Sequence, residues 1–172
     1  AVGQRDVPEI LLEGLRRLEY RGYDSAGIAV VNDNGDLQPC KHPGKVAVLE
    51  QALAATPVSG ATGIAHTRWA THGVPNQVNA HVSGDRIGLV HNGIIENHQV
   101  LRESLANSGV HFSSDTDSEV IVHLINAEID SQPSLLKAVQ QVLPRLEGAY
   151  ALAVIDAQSP GRCVVARAGS PL

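Results

Sequence analysis

The stretch IAHTRWATHG, residues 64–73, gathers an arginine, the chain's sole tryptophan, two threonines and two histidines directly after an apolar run. Polar side chains at that density beyond a strand imply that something is gripped there. Arg68 stands at the strand's end, where its planar guanidinium fork suits a carboxylate or phosphate, or else closes a structural ion pair. A second stretch, SSDTDSEV, sets Asp115 and Asp117 at the start of a helix. A carboxylate there can cap backbone amides, and capping accounts for one aspartate only. The other is free to face a ligand. A guanidinium and a carboxylate held a few ångströms apart form a receptor for a free α-amino acid, the cation taking its carboxylate and the anion its ammonium.

A third stretch, VHNGIIEN, runs a strand into Asn92-Gly93. One reading is a hairpin turn, the ordinary meaning of Asn-Gly. The other is an oxyanion hole, with the Asn92 side-chain amide and the Gly93 backbone N–H as donors and glycine admitting the substrate closely. Arg21, Tyr23 and Asp24, in RLEYRGYDSAG, read as scaffold polar groups rather than catalysts. A rival reading, a metal-dependent hydrolase, is prompted by His66, His72, His81 and His91. None of them stands in HExxH or paired-cysteine spacing, and histidines alternating along strands are ordinarily satisfied core residues. Neither a metal nor an organic cofactor is expected.

The elements that must position these residues are punctuated in the chain. DVPEILLEGLRRLEYRG predicts a helix with Asp6 as N-cap, Glu9 as its capping-box partner, Pro8 in the first turn and Gly22 as stop. Val7, Ile10, Leu11, Leu15 and Leu18 form its expected buried stripe. SAGIAVV and DLQPC read as two strands about the turn NDNG, followed by a helix over Val46 to Ala55. ATGIAHTRW and RIGLVHNG are strands separated by a loop from Thr71 to Asp85. Helices are expected from about Asn97 to Asn107 with Gly109 as stop, after SSDTD, and from near Ser134. The strand pair GAYALAVID and RCVVARAG closes the chain. Strands arriving as neighbouring pairs, with helices gathered between them, favour antiparallel sheets over a doubly wound parallel one.

Composition bounds the rest. At 172 residues, with 43% hydrophobic and 18% charged residues, the chain is one globular domain with a wide interior. A net charge of -5 argues against a nucleic-acid surface, which needs clustered Lys and Arg. Cys40 and Cys163 stand far apart and read as reduced structural residues. No apolar run approaches the roughly 20 residues of a bilayer span, and the first residues lack a signal peptide's pattern, so no membrane association and a cytoplasmic location are expected. With no methionine, the chain as given is expected to start after its translation start, and the ending GSPL to be a cut before another domain.

RGYDSAG, HTRWATHG, HNGIIEN and SDTDSEV, in this order and at these separations, resemble the glutaminase domain of the glutamine-dependent glucosamine-6-phosphate synthase family, also called glutamine:fructose-6-phosphate amidotransferase. The likeness covers essentially the whole chain, 1–172. The related amidophosphoribosyltransferases are similar in fold but lack the RGYDSAG and RWATHG wording. The resemblance implies an α+β fold, a four-layer αββα sandwich of N-terminal-nucleophile hydrolase type with two antiparallel sheets between helical layers. It implies that Arg68 holds glutamine's α-carboxylate and Asp117 its α-ammonium. By the same token Trp69, Thr71 and His72 belong to a loop closing over the ligand, and Asn92 and Gly93 are the oxyanion pair. The implied partners are L-glutamine, a C-terminal sugar-phosphate isomerase domain that receives the ammonia, and a second subunit of a full-length homodimer.

The family opens with a cysteine in a strand resembling Cys-Gly-Ile-Val-Gly, whereas this chain opens AVGQRD. The resemblance therefore implies a first strand of about five residues ahead of Ala1, carrying the thiol and the free amine that relays its proton. As given, the chain is expected to be inactive, with strand edges exposed and a gap where that strand packs. A non-catalytic regulatory or interaction module with the same fold is the remaining alternative.

Overall fold

A computed structural model describes residues 1–21, 24–68 and 86–170. Among these, α1 (Pro8–Leu18), β1 (Ser25–Val31), β2 (Leu37–Pro43), α2 (Val46–Ala55) and β3 (Thr62–Arg68) form a first half. The second half comprises β4 (Ile87–Ile95), α3 (His98–Asn107), α4 (Asp117–Ile129), α5 (Leu135–Val142), β5 (Gly148–Asp156) and β6 (Val164–Ala168). The strands make two three-stranded antiparallel sheets, ordered β2-β1-β3 and β4-β5-β6. The expected pairs β1/β2 and β5/β6 are present. β3 and β4 are not a pair: consecutive in sequence, they lie in different sheets, so the chain crosses between layers after Arg68.

Alternation along the strands sorts side chains into layers. On the first sheet Ala26, Ile28 and Val30 pack outward against Val7, Leu11 and Leu15 of the α1 segment and Val46, Leu49 and Leu53 of α2. Ala29, Val31 and Ile64 point the other way and meet Ile155, Val90 and Ala153 of the second sheet. The second sheet's far face, with Leu89, Leu152 and Val154, packs on Leu101, Val120, Leu124 and Val139 of α3 to α5. Helix, sheet, sheet, helix is the resulting stack, the four-layer sandwich the resemblance implies.

Several local expectations are corrected. α1 has Val7 at its N-cap with no side-chain cap, because Asp6 turns away to accept the Gly60 N–H at 2.8 Å. Its buried stripe is Leu11, Leu12 and Leu15, while Ile10 and Leu18 are exposed, because the sheet meets the helix on the face rotated toward Leu12. The helix gives way at Leu18 to a 3-10 turn over Glu19–Arg21, and the expected stop at Gly22 lies outside the described residues. Ahead of α1, Ala1–Gly3 run antiparallel beside β3 through the Val2↔Thr62 bridge and the Gly63 N–H to Ala1 carbonyl bond of 2.9 Å. The edge of β3 is thus met at its beginning.

Candidate functional site

Thr62, Ile64, His66 and Arg68 share one face of β3, and Ile64's place in the inter-sheet core fixes that face as the inner one. The same alternation gives β4 an inner face of Gly88, Val90, Asn92 and Ile94, so Arg68 and Asn92 both project between the sheets. Apolar residues fill one end of this space. The other end is polar, with Ser25 paired opposite Arg68 in the register of β1 and β3.

Arg68 is only 2% exposed, as is Asp117. Burial lowers the guanidinium's pKa, and the charges of Asp24 first and Asp117 second oppose that shift. Both carboxylates therefore act on the same cation from different parts of the chain. His66, two residues before Arg68 on the same face, is pushed down to about 4 by burial, then by the charges of His91 and Arg68, with Asp24 opposing. It is neutral at ordinary pH.

Asp117 opens α4 but does not cap it, and neither does exposed Asp115. Thr116 is the N-cap, its hydroxyl accepting the Glu119 N–H at 3.3 Å. With the cap supplied by threonine, Asp117 turns toward β4: Oδ2 accepts the Ile95 backbone N–H at 3.0 Å, and Oδ1 lies 3.6 Å from His91 Nδ1. That same nitrogen is 3.0 Å from Ser118 Oγ. The loop leading into the helix is folded by Glu119, whose carboxylate accepts from the backbone N–H and the hydroxyl of both Ser113 and Ser114 at 2.6 to 2.8 Å. Burial works against this charge, but those bonds and His123 hold the Glu119 carboxyl far below the ordinary carboxylate range. Arg102 adds a bond from its guanidinium to the Ser114 carbonyl at 2.7 Å and stacks over the Phe112 ring.

Asn92-Gly93 is not a hairpin turn. Both residues are inside β4, in register with Ala151 and Tyr150, and the strand continues to Ile95. Gly93 has φ +129, and a Cβ there would collide with the Ala149 carbonyl oxygen and approach Tyr150 Cα to 2.8 Å. Glycine is required by the backbone itself. The strand thus takes its unusual φ where the sequence carries an amide side chain and a glycine N–H in succession.

The structure brings Arg68, Asp117, Asn92 and Gly93 to one end of the sandwich. Trp69, Thr71, His72 and the rival reading's His81 lie outside the described residues. No group of three or more His, Cys, Asp or Glu side chains among the described residues could hold a metal ion. The sequence offered His91 only as a metal ligand or a core histidine, and gave no sign of its contact with Asp117 and Ser118, of the Ile95 N–H or of the reach of Asp24 to Arg68. These contacts span distant segments, which no local pattern announces. Among the described residues no helix is long and apolar enough to cross a membrane.

Comparison with known proteins adds to this geometry. A family model described as a glutamine amidotransferase domain matches residues 66–170. The glutamine--fructose-6-phosphate aminotransferase (isomerizing) of Shewanella oneidensis is 60% identical, covering 100% of this chain and 28% of that protein. Its namesake from Pseudomonas aeruginosa is 56% identical over the same shares. The chain therefore spans 28% of the length of these curated relatives. Among solved structures, the glutamine phosphoribosylpyrophosphate amidotransferase of B. subtilis, complexed with ADP and GMP, superposes with TM-score 0.76 at 29% identity, covering 91% of this chain and 34% of that one. The allosteric regulatory enzyme of purine biosynthesis gives TM-score 0.77 at 28% identity over the same shares.

Proposed function

Because the chain belongs to the glutamine amidotransferase domain family, we propose that it holds free glutamine between Arg68 and Asp117 and supports hydrolysis of the side-chain amide to glutamate and ammonia. The observation that carries this reading is the pair of buried opposite charges, on different sheets' elements, with Asp117 hydrogen-bonded to the very strand that bears Asn92 and Gly93. Arg68 takes the α-carboxylate through its fork and Asp117 the α-ammonium. The amide carbonyl then falls toward Asn92 and Gly93, whose N–H donors stabilise the oxyanion formed on attack. Trp69, Thr71 and His72 complete the enclosure in this reading.

The attacking thiol belongs to chain ahead of Ala1. Ala1–Gly3 run antiparallel beside β3, so residues continued in that register pass toward Arg68, which brings an N-terminal sulfur to the polar end of the inter-sheet space. Sulfur bonds to the amide carbon, the carbon–nitrogen bond breaks, ammonia leaves, and water cleaves the thioester to give glutamate. Identity of up to 60% with proteins named for fructose 6-phosphate supports delivery of that ammonia to fructose 6-phosphate in a downstream sugar-phosphate isomerase domain. On the family resemblance we further infer that the full-length enzyme is a cytoplasmic homodimer.

Arg68→Lys in the full-length gene product tests the clasp. Losing the bidentate fork raises the KM for glutamine tenfold or more, about 1.5 to 3 kcal/mol. An unchanged KM removes Arg68 from the pocket.

A further inference from the structure

We propose that His91 is a positioning residue that fixes the Asp117 carboxylate for recognition of the substrate's α-ammonium, an inference that rests on the reading of Asp117 given above. The geometry is specific. β4 touches the first turn of α4 at two points: the Ile95 N–H on Asp117 Oδ2 at 3.0 Å, and His91 Nδ1 at 3.6 Å from Asp117 Oδ1 and 3.0 Å from Ser118 Oγ. His91 and Ile95 share the outer face of β4, and Asn92 and Gly93 lie between them in the strand. The two points therefore bracket the oxyanion donors.

A carboxylate held by one oxygen can still rotate about its side-chain torsions, and a swing of an ångström misplaces any cation it binds. The imidazole narrows that freedom on the side facing β4. Being 4% exposed itself, His91 has little room to move, and its Nδ1 faces the Ser118 Oγ and Asp117 Oδ1 pair, toward which the Nδ1–H tautomer directs its proton. The ammonium anchor and the oxyanion donors then keep a fixed separation, matched to a ligand whose amino group and amide carbonyl lie at opposite ends. His91 touches no reacting atom in this account; it acts through Asp117.

The test uses the full-length gene product and two competitive inhibitors of glutamine hydrolysis, L-glutamate and glutarate, which differ by the α-amino group alone. In His91→Leu the Ki for glutamate rises about tenfold, the scale expected when a buried carboxylate loses a close polar neighbour. The Ki for glutarate stays within about twofold, and kcat falls less than KM rises. His91→Asn, whose amide nitrogen takes roughly the place of Nδ1, recovers most of the glutamate affinity. Should His91→Leu fold poorly, Ser118→Ala serves instead, with the same sign and a change of about threefold. Equal weakening of both inhibitors, or full loss in the Asn variant, makes His91 a packing residue and overturns the proposal. Asp117→Asn is run beside it. If that variant leaves the glutamate-to-glutarate preference intact, the Asp117 reading fails and takes this inference with it. If the preference collapses in Asp117→Asn yet persists in His91→Leu and Ser118→Ala, only the role of His91 is lost.

Discussion

On the second sheet's side of the site, α4 and α5 begin at hydroxyl caps from Thr116 and Ser134, and the loop before α4 is folded by a carboxylate with four bonds to two serines. On the first sheet's side, α1 and α2 begin at Val7 and Lys45 with no side-chain cap, and Arg68 is presented by strand register and burial. The two charges of the proposed clasp are thus held by different physics. Asp117 belongs to a cross-braced unit in which β4, α4 and the preceding loop share hydrogen bonds. Arg68 belongs to a packed sheet whose geometry is set by side-chain volume and alternation. A ligand spanning both would find one end placed by a network of hydrogen bonds and the other by a strand of a packed sheet, under the charges of Asp24 and Asp117.

The largest expected effect is on the braced side. Asn92→Ala removes an oxyanion donor and cuts kcat on the order of a hundredfold, about 3 kcal/mol, while glutamate affinity stays nearly intact. A kcat that holds up would detach Asn92 from the chemistry and leave the bracing without catalytic purpose. Next comes Glu119→Ala. It strips partners from the Ser113 and Ser114 N–H groups and hydroxyls, and chemical denaturation of the full-length protein should register a loss of about 2 to 3 kcal/mol. A loss below about 0.5 kcal/mol would mean that the loop folds without its carboxylate, erasing the contrast between the halves.

The smallest effect belongs to the packed side and depends on pH. His66 has its folded-state pKa depressed from 6.5 to about 4, burial leading, the charges of His91 and Arg68 next and Asp24 opposing. The unfolded chain takes up this proton as pH falls through 6.5, whereas the folded chain resists until about 4, so stability declines across that window. Because the residue as a whole is only half-buried, the contribution is on the order of 1 kcal/mol. His66→Gln should flatten the slope between those pH values in equilibrium unfolding, and an unaltered slope would assign the acid sensitivity elsewhere. The Glu119 carboxyl, held far below its ordinary 4.5, contributes stability that is full above that value and is lost as pH falls below it, so it adds to the slope only at the acid end of this window and continues beyond it.

Much of this architecture is legible in the chain because it rests on short-range patterns. SAGIAVV and GAYALAVID occupy β1 and β5 residue for residue, and Val46–Ala55 is α2 as expected, since apolar period and turn residues act locally. Asp6, Ile10 and Leu18 mislead, each for a reason beyond its own segment: Gly60 captures the aspartate, and the sheet meets α1 on another face. Of the two readings open for Asn92-Gly93, the hairpin turn is the one the structure removes, although it has the stronger local signal. The pair has turn chemistry, yet Gly93 takes its positive φ inside a paired strand because β5 holds both neighbours in the ladder.

The sequence by itself determined which residue types are available and in what order: a guanidinium ending one strand, an Asn-Gly in another, carboxylates at a helix start, and the wording shared with glutamine amidotransferases. Tertiary structure alone decided that β3 and β4 part into separate sheets and that Asp117, relieved of capping by its neighbour Thr116, bonds β4 beside His91. The physical reason is range. Propensity and alternation act over a few neighbours, whereas a buried charge is placed by whichever donors the packed layers bring to it, here from strands dozens of residues away.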